Sequence, residues 1–356
     1  MSYDALVIGG GLAGCSTALQ LARRGHSVLL AEQSTYPRHK LCGEFLSPEA
    51  QSSFRRLEVL DAVRDAGAST MTRTLLTAPN GTATEHALPG SALGLSRHHL
   101  DQLLFQHACT AGVDGRPGTR VTEVQGRLDQ GFSVTVGAET VEARLVFGAY
   151  GRRGHLDRTL DRPFLKQRTP YVGFKAHYAG PSAADVSNTI ELHSAPGGYC
   201  GLSPVEDDRI NVCWIGHTDA LTDAGGTPAV SQVPLMPKSR FAGDVCMIGD
   251  AAGMIAPLCG DGMAMALRTA DLVTPLASEY LDGRRSPSSF RTAYETTWTN
   301  TFGRRMRLGR WIHAAAFRPG AARLLVQSCR VLPPLARWLI RSTRGARPAP
   351  PKTSSS

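Results

Sequence analysis

The chain has 356 residues, of which 42% are hydrophobic, and its formal net charge is +9. This length predicts two domains, and the hydrophobic content is normal for a soluble globular protein. No apolar run is long enough for a membrane-spanning helix, and we expect neither a signal nor a transit peptide. The eight cysteines form no C-x-x-C pair and no zinc-type spacing, which predicts no metal site and a cytoplasmic protein with reduced thiols.

The positive charge is concentrated at the C-terminal end. No acidic residue follows Glu295, and residues 303–356 contain eleven Arg and one Lys. The rest of the chain therefore has a slightly negative net charge. No nucleic-acid reader motif accompanies the basic segment, so we expect no nucleic-acid partner.

Residues 4–32 have the pattern strand, glycine turn, helix, strand. The turn fits G-x-G-x-x-G, in which the second glycine lets the backbone approach a pyrophosphate and the third allows close helix–strand packing. Glu32 ends the second strand, where an acid can accept hydrogen bonds from a ribose, which favours FAD or NAD over NADP. The alternative is an ordinary glycine-rich turn. The residues expected to contact the dinucleotide here are Gly9, Gly11, Leu12, Ala13, Gly14 and Glu32.

A loop with two prolines follows at 36–48. Its Arg38 and Lys40 are either solvated loop charges or a cationic wall beside the cofactor. A helix is predicted over 47–60 with Ser47 as N-cap, and another begins after Ser96.

The remaining segments before residue 237 are mostly short strands. Residues 80–81, Asn-Gly, predict a hairpin between strands at 72–78 and 84–88. A three-stranded meander is expected at 121–124, 132–136 and 140–143, followed by a separate strand at 145–147. Alternating segments then predict an antiparallel sheet in a second domain, with a loop after it. Those segments are 171–178, 189–193, 199–203 and 210–215, and the loop is 218–237.

A second motif begins with a strand at 244–248. Gly249 and Asp250 follow, and Gly260, Asp261 and Gly262 open a helix over 263–276. A carboxylate at the carboxyl end of a parallel strand faces the ligand crevice of an α/β sheet. The glycine-rich turn offers N–H donors to negative charge.

With these motifs in order, residues 4–295 resemble flavoproteins of the p-hydroxybenzoate hydroxylase fold, in the branch with geranylgeranyl reductases and flavin-dependent halogenases. The resemblance implies an α/β fold: a Rossmann-type, glutathione-reductase-like FAD-binding domain, an inserted antiparallel β-sheet substrate domain and C-terminal helices. The FAD-binding domain would comprise 1–70, 94–160 and 236–295. The substrate domain would comprise 71–93 and 161–235, followed by a basic helical segment at 296–344 and a disordered tail at 345–356.

The resemblance also implies roles for single residues. Glu32 would hold the adenosine ribose, Arg97 would lie beside the phosphate or ribityl region, and Asp250 would bind the ribityl chain. A helix N-terminus beside the flavin ring would stabilise its reduced anion. Further expected cofactor contacts are Arg38, Gly249, Pro257, Gly260, Asp261, Gly262 and Met263.

Two departures from the family pattern bear on the reaction. Tyr150 stands where family hydroxylases carry an Asp that contacts FAD and pyridine nucleotide, so the electron donor is either NAD(P)H or a reduced partner. Gly201 and Ser203 replace the bulky residues of the reductase and halogenase motifs, which disfavours halogenation and predicts a larger pocket over the flavin.

Two residues are candidates for catalysis. Tyr199 is the polar candidate in the substrate pocket, and the alternative is a tyrosine that only packs in the sheet. Cys42 belongs to a Lys-x-Cys-Gly loop that resembles the reductase branch, and the alternative is a buried structural thiol.

The C-terminus has helical patterns at 321–332 and 335–342. Arg323, Arg330, Arg337 and Arg344 recur every seven residues among apolar side chains. Such a segment either packs on the body of the protein or lies on an anionic membrane surface, which would add a peripheral membrane location.

We therefore expect an FAD-dependent oxidoreductase with an aromatic or lipophilic small-molecule substrate. A monooxygenase hydroxylating an aromatic or polyketide-like molecule by way of a flavin C4a-hydroperoxide is favoured. The alternative reaction is reduction of carbon–carbon double bonds in an isoprenoid-like substrate, and a non-catalytic flavin scaffold is the third hypothesis.

Overall fold

The computed structural model describes residues 1–167, 169–179, 186–218 and 231–344. The short apolar strand after the N-terminus lies inside the first of its two sheets. The strands of this sheet, sheet A, are β1 (Ser2–Ile8), β2 (Val28–Glu32), β6 (Asp114–Pro117), β7 (Val121–Arg127), β8 (Gly131–Val136), β9 (Glu139–Gly148), β15 (Phe241–Ala242) and β16 (Val245–Met247). Their order is β15-β16-β9-β1-β2-β6, and β8 pairs with β9 and β7 with β8. β1 pairs in parallel with β2 and β9, which buries its residues 5–8 completely or nearly so.

Sheet B contains the alternating segments of the second half of the chain. Its strands are β3 (Phe45–Leu46), β4 (Ser69–Thr77), β5 (Ala83–Gly94), β10 (Tyr171–Ala179), β11 (Thr189–Ala195), β12 (Gly198–Pro204), β13 (Arg209–His217) and β14 (Ser231–Gln232). Their order is β14-β10-β13-β12-β11-β4-β5-β3. All pairs are antiparallel except β4 with β11.

Helices cover sheet A and extend beyond it at the C-terminus. They are α1 (Leu12–Ala22), α2 (Pro48–Arg56), α3 (Leu60–Asp65), α4 (Arg97–Thr110), α5 (Leu156–Thr159), α6 (Gly262–Leu281), α7 (Pro287–Ala316), α8 (Pro319–Val331) and α9 (Pro333–Ser342). Short 3₁₀ turns lie at Pro163–Lys166, Gly249–Ala251 and Pro257–Cys259. The predicted α/β fold, with a Rossmann-type unit, a second sheet and C-terminal helices, is confirmed.

Two local predictions were wrong, each for a physical reason. The strands expected at 140–143 and 145–147 are one strand, because the first half of β9 pairs with β8 and its second half with β1. The helix expected over 47–60 stops at Arg56, because Glu58 is left-handed with φ of 53°. The N–H of Val59 then bonds the carbonyl of Phe54, which closes the helix end.

The C-terminal helices pack on the body of the protein, and the proline pair between them starts α9. α7 runs without a break across residues 295 and 296, where the sequence suggested a boundary. Arg305 on α7 forms ion pairs with Glu49 of α2 and with Asp261. α8 and α9 both contact β5. Among the described residues, no helix combines the length and apolar character needed to cross a bilayer. The expected tail at 345–356, and 219–230 of the expected loop, lie outside the described residues.

Candidate cofactor-binding site

A cavity of about 520 Å³ lies where the carboxyl ends of β1, β9 and β16 meet sheet B. The glycine turn after β1 and the residues after β16 form one side, and Cys213 and Ile215 of β13 form the other. Most residues predicted to contact the cofactor line this cavity. They are Gly11, Leu12, Ala13, Arg97, Gly249, Asp250, Pro257, Gly260, Gly262 and Met263, together with the candidate Cys42.

The three glycines of the turn have separate structural roles. Gly9 has φ of 110°, and a Cβ there would lie 2.6 Å from the carbonyl oxygen of Ala149. A Cβ on Gly14 would lie 1.9 Å from the carbonyl oxygen of Gly9, so this glycine allows α1 to pack against the turn. Gly11 differs, because its Cβ would meet only the side-chain ends of Arg97 at 3.5 Å and Lys40 at 3.9 Å.

Those two cations form a positive wall opposite the glycine turn. Arg97 makes a bidentate pair with the buried Asp101, at 2.6 Å from Nε and 2.8 Å from Nη2. Burial, with the neighbouring Arg97 and Arg38, lowers the pKa of Lys40 to about 8. A bound anion would relieve this mutual repulsion, and the free N–H groups of α1 point to the same place. The gap in front of Gly11 therefore fits a pyrophosphate.

Glu32 lies deeper, beside a narrow cavity of about 50 Å³ that shares Lys40 and Tyr150 with the first. Its two carboxylate oxygens accept hydrogen bonds from the N–H groups of Gly10, at 2.7 Å, and Ser34, at 2.9 Å. Burial alone would raise its pKa, but Lys40, Arg38 and the two backbone hydrogen bonds together outweigh burial and lower the pKa. The carboxylate thus stays ionised and fixes the turn, while the ribose contact stays a prediction.

Arg38 does not line either cavity, and its expected contact with the cofactor stays a prediction. Its guanidinium is nearly buried in an ion pair with Glu32 and lies 3.4 Å from Asp101. It also donates a hydrogen bond to the carbonyl of Gly10 at 3.0 Å. The buried carboxylates hold this side chain behind the glycine turn, where it supports the turn without facing the cavity.

At the other end of the cavity, the turn before α6 lines the wall with its backbone, and the carboxylate of Asp261 is not part of the wall. Gly260 has φ of 65°, and Gly260, Gly262 and Met263 line the wall. The side chain of Asp261 points away, accepting hydrogen bonds from Ser47 at 2.7 Å and Arg305 at 3.1 Å. Burial and the nearby Glu49 raise its pKa to about 7. Asp261 therefore anchors the turn from behind.

Cys42 lies in the cavity wall next to a buried charge cluster. Its Sγ accepts a hydrogen bond from the N–H of Glu44 at 3.4 Å, and burial raises the pKa of the thiol. Glu44 is buried, forms ion pairs with Lys175 and His177, and accepts the backbone N–H of Arg97 at 2.7 Å. The cluster fixes the loop, so the protonated thiol of Cys42 stays at the cavity.

Tyr199 does not line the cavity, and its surroundings favour the alternative of a tyrosine that packs in the sheet. Its ring is 3% exposed and packs with Ile215, Val233 and Met254. The ring of His313 on α7 covers it at a centroid distance of 6.4 Å. Among the described residues, its hydroxyl has no hydrogen-bond partner. The end of α7 therefore buries Tyr199 in the hydrophobic core.

His313 makes stability depend on pH. It is 3% exposed among aromatic rings, and burial lowers its pKa to about 4, against about 6.5 in the unfolded chain. The unfolded state therefore binds the extra proton, so this stability is complete above pH 6.5 and falls towards pH 4. From pH 7 to pH 5 we expect a loss of about 2 kcal/mol in the free energy of unfolding. Urea unfolding of wild type and His313→Phe at both pH values measures it, and equal losses in the two proteins would contradict this assignment.

The residues present fit FAD: a glycine turn, two cations, a helix N-terminus and a cavity joined to a narrower one. The sequence did not identify three supporting side chains, Asp101, Glu44 and Arg305. Asp101 stands four residues after Arg97 on one helix face, which is a readable signal. The partners of the other two come from distant segments, so no local pattern marks them.

Comparison with known proteins agrees with this geometry. A family model described as "FAD binding domain" matches residues 2–232. The chain is 27% identical to a menaquinone reductase of Mycolicibacterium smegmatis, over 77% of this chain and 76% of the relative. It is 26% identical to a digeranylgeranylglycerophospholipid reductase of Methanopyrus kandleri, over 85% and 84%. PqsL of Pseudomonas aeruginosa, described as a probable FAD-dependent monooxygenase, shares the fold with a TM-score of 0.76 at 18% identity, over 90% of this chain and 98% of PqsL.

The matched span covers more than half of the chain, and both the glycine turn and the positive wall lie within it. The predicted use of FAD and the predicted oxidoreductase class are supported together. The chain belongs to the FAD-binding domain family of FAD-dependent oxidoreductases.

Proposed function

We propose that this protein is an FAD-dependent reductase that saturates a carbon–carbon double bond in a lipophilic, isoprenoid-like substrate. One observation carries the proposal: a second, apolar cavity of about 120 Å³ lies between sheet B and the C-terminal helices. Most of the residues that line it are apolar, and they include Leu192, Leu258, Cys259, Val326, Leu339 and Ile340. Its polar lining residues are Thr74, Thr77, Ser194, Thr343 and Arg344. Such a lining favours a hydrocarbon tail.

The apolar cavity and the cofactor cavity meet at one turn. Leu258 and Cys259 line the apolar cavity, while their neighbours Pro257 and Gly260 line the cofactor cavity. Across sheet B, Gly201 lies in register between Leu192 of the apolar cavity and Cys213 of the cofactor cavity. A glycine at this position leaves room for a tail between the two.

Cys42 supports reduction for a second reason. Saturating a double bond requires a hydride, which reduced FAD supplies when bound, and a proton. Because burial raises the pKa of its thiol, Cys42 keeps the Sγ proton at neutral pH. Its place in the cavity wall makes it the proton donor of this proposal.

The names of the relatives point the same way. Menaquinone reductase and digeranylgeranylglycerophospholipid reductase are both described as reductases, and the second as acting on a phospholipid. Both align over most of this chain. They support a lipophilic substrate for it.

A monooxygenase is the second candidate, and the apolar part of the cofactor cavity wall near sheet B favours it. Leu41, Ile215 and Met254 line the cofactor cavity there, and apolar side chains of this kind exclude water and pack against an aromatic ring. NAD(P)H or a reduced partner would be the electron donor in either reaction.

The test uses the FAD-loaded enzyme, reduced without oxygen and supplied with a prenylated naphthoquinone or a long-chain alkyl phenol. After air has returned any hydroquinone to the quinone, mass spectrometry of the product distinguishes two hydrogens added to the prenyl chain from one added oxygen. Reduction supports the proposal, and hydroxylation of either substrate replaces it with the second candidate.

Cys42→Ser tests the proton donor. We expect reduction to slow by about 100-fold while FAD binding is unchanged, because the hydroxyl is a weaker acid of similar size. Cys200→Ser, at a half-buried thiol outside the lining of the cofactor cavity, is the matched control. Equal rates in wild type and Cys42→Ser would remove the thiol from the mechanism.

A further inference from the structure

The exposed apolar side chains of this protein gather at one end of the chain. Among the described residues, the large hydrophobic side chains that are exposed number seven, and five of them lie between residues 311 and 338. These five are Trp311 at 60% exposed, Leu324 at 67%, Val331 at 70%, Leu332 at 56% and Trp338 at 49%. We call the exposed side of the end of α7, of α8 and of α9 the C-terminal face. A cluster of this kind marks an interaction surface.

The C-terminal face is also uniformly basic. Its exposed arginines alternate with the apolar side chains, and no acidic residue occurs after Glu295 to neutralise them. On β5, which α8 and α9 both contact, Glu85 forms an ion pair with Arg73. The exposed arginines are Arg307, Arg310, Arg318, Arg323, Arg330, Arg337 and Arg341.

Helices α8 and α9 are amphipathic, with one side buried and the other exposed. On α8, Ala322, Val326 and Cys329 are buried, whereas Arg323, Leu324, Arg330 and Val331 are exposed and recur seven residues apart. On α9, Ala336 is buried while Arg337 and Trp338 are exposed. One side therefore packs inward, and the other presents guanidinium groups among aliphatic side chains and tryptophan.

We propose that the C-terminal face docks on the surface of an anionic lipid bilayer. Trp and Arg suit this boundary, because each combines an apolar stem or ring with a polar end. Large aliphatic side chains exposed beside arginine fit a lipid interface better than an acidic protein or a nucleic acid, which would match the charge and leave the apolar surface in water. The arginines contact headgroups, and Leu324, Val331 and Trp338 enter the acyl boundary.

The same helices line the apolar cavity, so docking would place this cavity beside the bilayer. Leu325 and Val326 of α8, and Leu339 and Ile340 of α9, face that cavity from the side opposite to sheet B. A lipophilic substrate can then pass from the bilayer between these helices without crossing water. This route rests on the proposed function, whereas the docking itself does not.

The test measures sedimentation of the FAD-loaded, full-length protein with vesicles. Phosphatidylcholine vesicles are compared with vesicles in which about a third of the lipid is phosphatidylglycerol, at low and high salt. We expect binding to the anionic vesicles, weakened by salt. Replacing Arg323, Arg330 and Arg337 by Glu should weaken it by at least about 100-fold, since each arginine near an anionic surface contributes roughly fivefold.

The matched control reverses three exposed arginines elsewhere, Arg24→Glu, Arg127→Glu and Arg158→Glu, which gives the same change in net charge. It should bind anionic vesicles far better than the C-terminal triple variant. Equal binding by the two variants, absence of wild-type binding, or binding to DNA in preference to vesicles would overturn the proposal. Trp338→Ala should weaken binding at high salt as well, because its contribution is not electrostatic.

Vesicle binding needs no substrate, so this test is separate from that of the reaction. If vesicles bind but no double bond is reduced, the docking stands and the proposed reaction fails. If the C-terminal triple variant reduces a short-tailed, water-soluble substrate at the wild-type rate, its loss of vesicle binding reflects the surface and not damage to the active site.

Discussion

Gly11→Val is expected to give a folded protein that binds FAD about 100-fold more weakly than wild type. The backbone at Gly11 has φ of −92°, which valine adopts without strain. Its Cβ would meet only Arg97 and Lys40, at ordinary contact distances. The added methyl groups would fill the gap between the glycine turn and these cations, which is where the pyrophosphate must approach the backbone. The fold therefore loses nothing, while the cofactor loses its closest contact.

Substitutions at two other glycines serve as controls for Gly11→Val. Gly14→Ala should reduce folding itself, because its Cβ would lie 1.9 Å from a backbone oxygen. Gly320→Val, at the start of α8 with no atom within 4 Å of its Cβ, should change neither property. Quenching of flavin fluorescence measures the dissociation constant, and thermal unfolding of the apoprotein measures stability. Wild-type affinity for FAD in Gly11→Val would place the pyrophosphate elsewhere.

The difference between these glycines also explains what the sequence could predict. The turn, the close contact of Gly14 with the carbonyl of Gly9 and the helix N-terminus all depend on residues within one βαβ unit. A short motif therefore predicts the glycine turn, which lines the cavity as expected, while its contacts with the cofactor stay a prediction. The same holds for the hairpin at residues 80–81, where Gly81 has φ of 80°.

Side chains whose surroundings come from distant segments could not be predicted in this way. Alternation places Tyr199 on one face of β12, but its cover, His313 and Phe317, arrives more than a hundred residues later. Asp261 follows the flavin-side glycine, yet Arg305 on α7 turns its carboxylate away from the cavity. In both cases the C-terminal helices decided the outcome.

For the C-terminal segment, the sequence predicted the character of the helices but not what they pack against. Its seven-residue arginine spacing predicted amphipathic helices, and α8 and α9 are amphipathic. The pattern could not show that both helices would close one side of an apolar cavity, because the facing residues lie on β4 and β11 of sheet B. Packing on the body and lying on an anionic membrane surface, which the sequence offered as alternatives, are compatible.

Gly201→Trp is expected to retain FAD and to lose turnover of long-tailed substrates by about 100-fold. A Cβ at Gly201 would lie 3.5 Å from Leu192 Cδ2 and 3.8 Å from the carbonyl oxygen of Cys213, so a small side chain fits and a large one fills the space between the cavities. Denying a tail the burial of about four methylene groups, at about 0.8 kcal/mol each, accounts for this loss in kcat/KM.

The matched variant is Gly201→Ala, whose methyl group makes only ordinary contacts and should leave turnover nearly unchanged. Short-tailed substrates should react with Gly201→Trp at close to the wild-type rate, because they do not reach past β12. Turnover measured against tail length therefore separates a blocked passage from a damaged active site. If short and long tails lose activity equally, Gly201 does not lie on the substrate path, and the apolar cavity must be reached from the C-terminal helices alone.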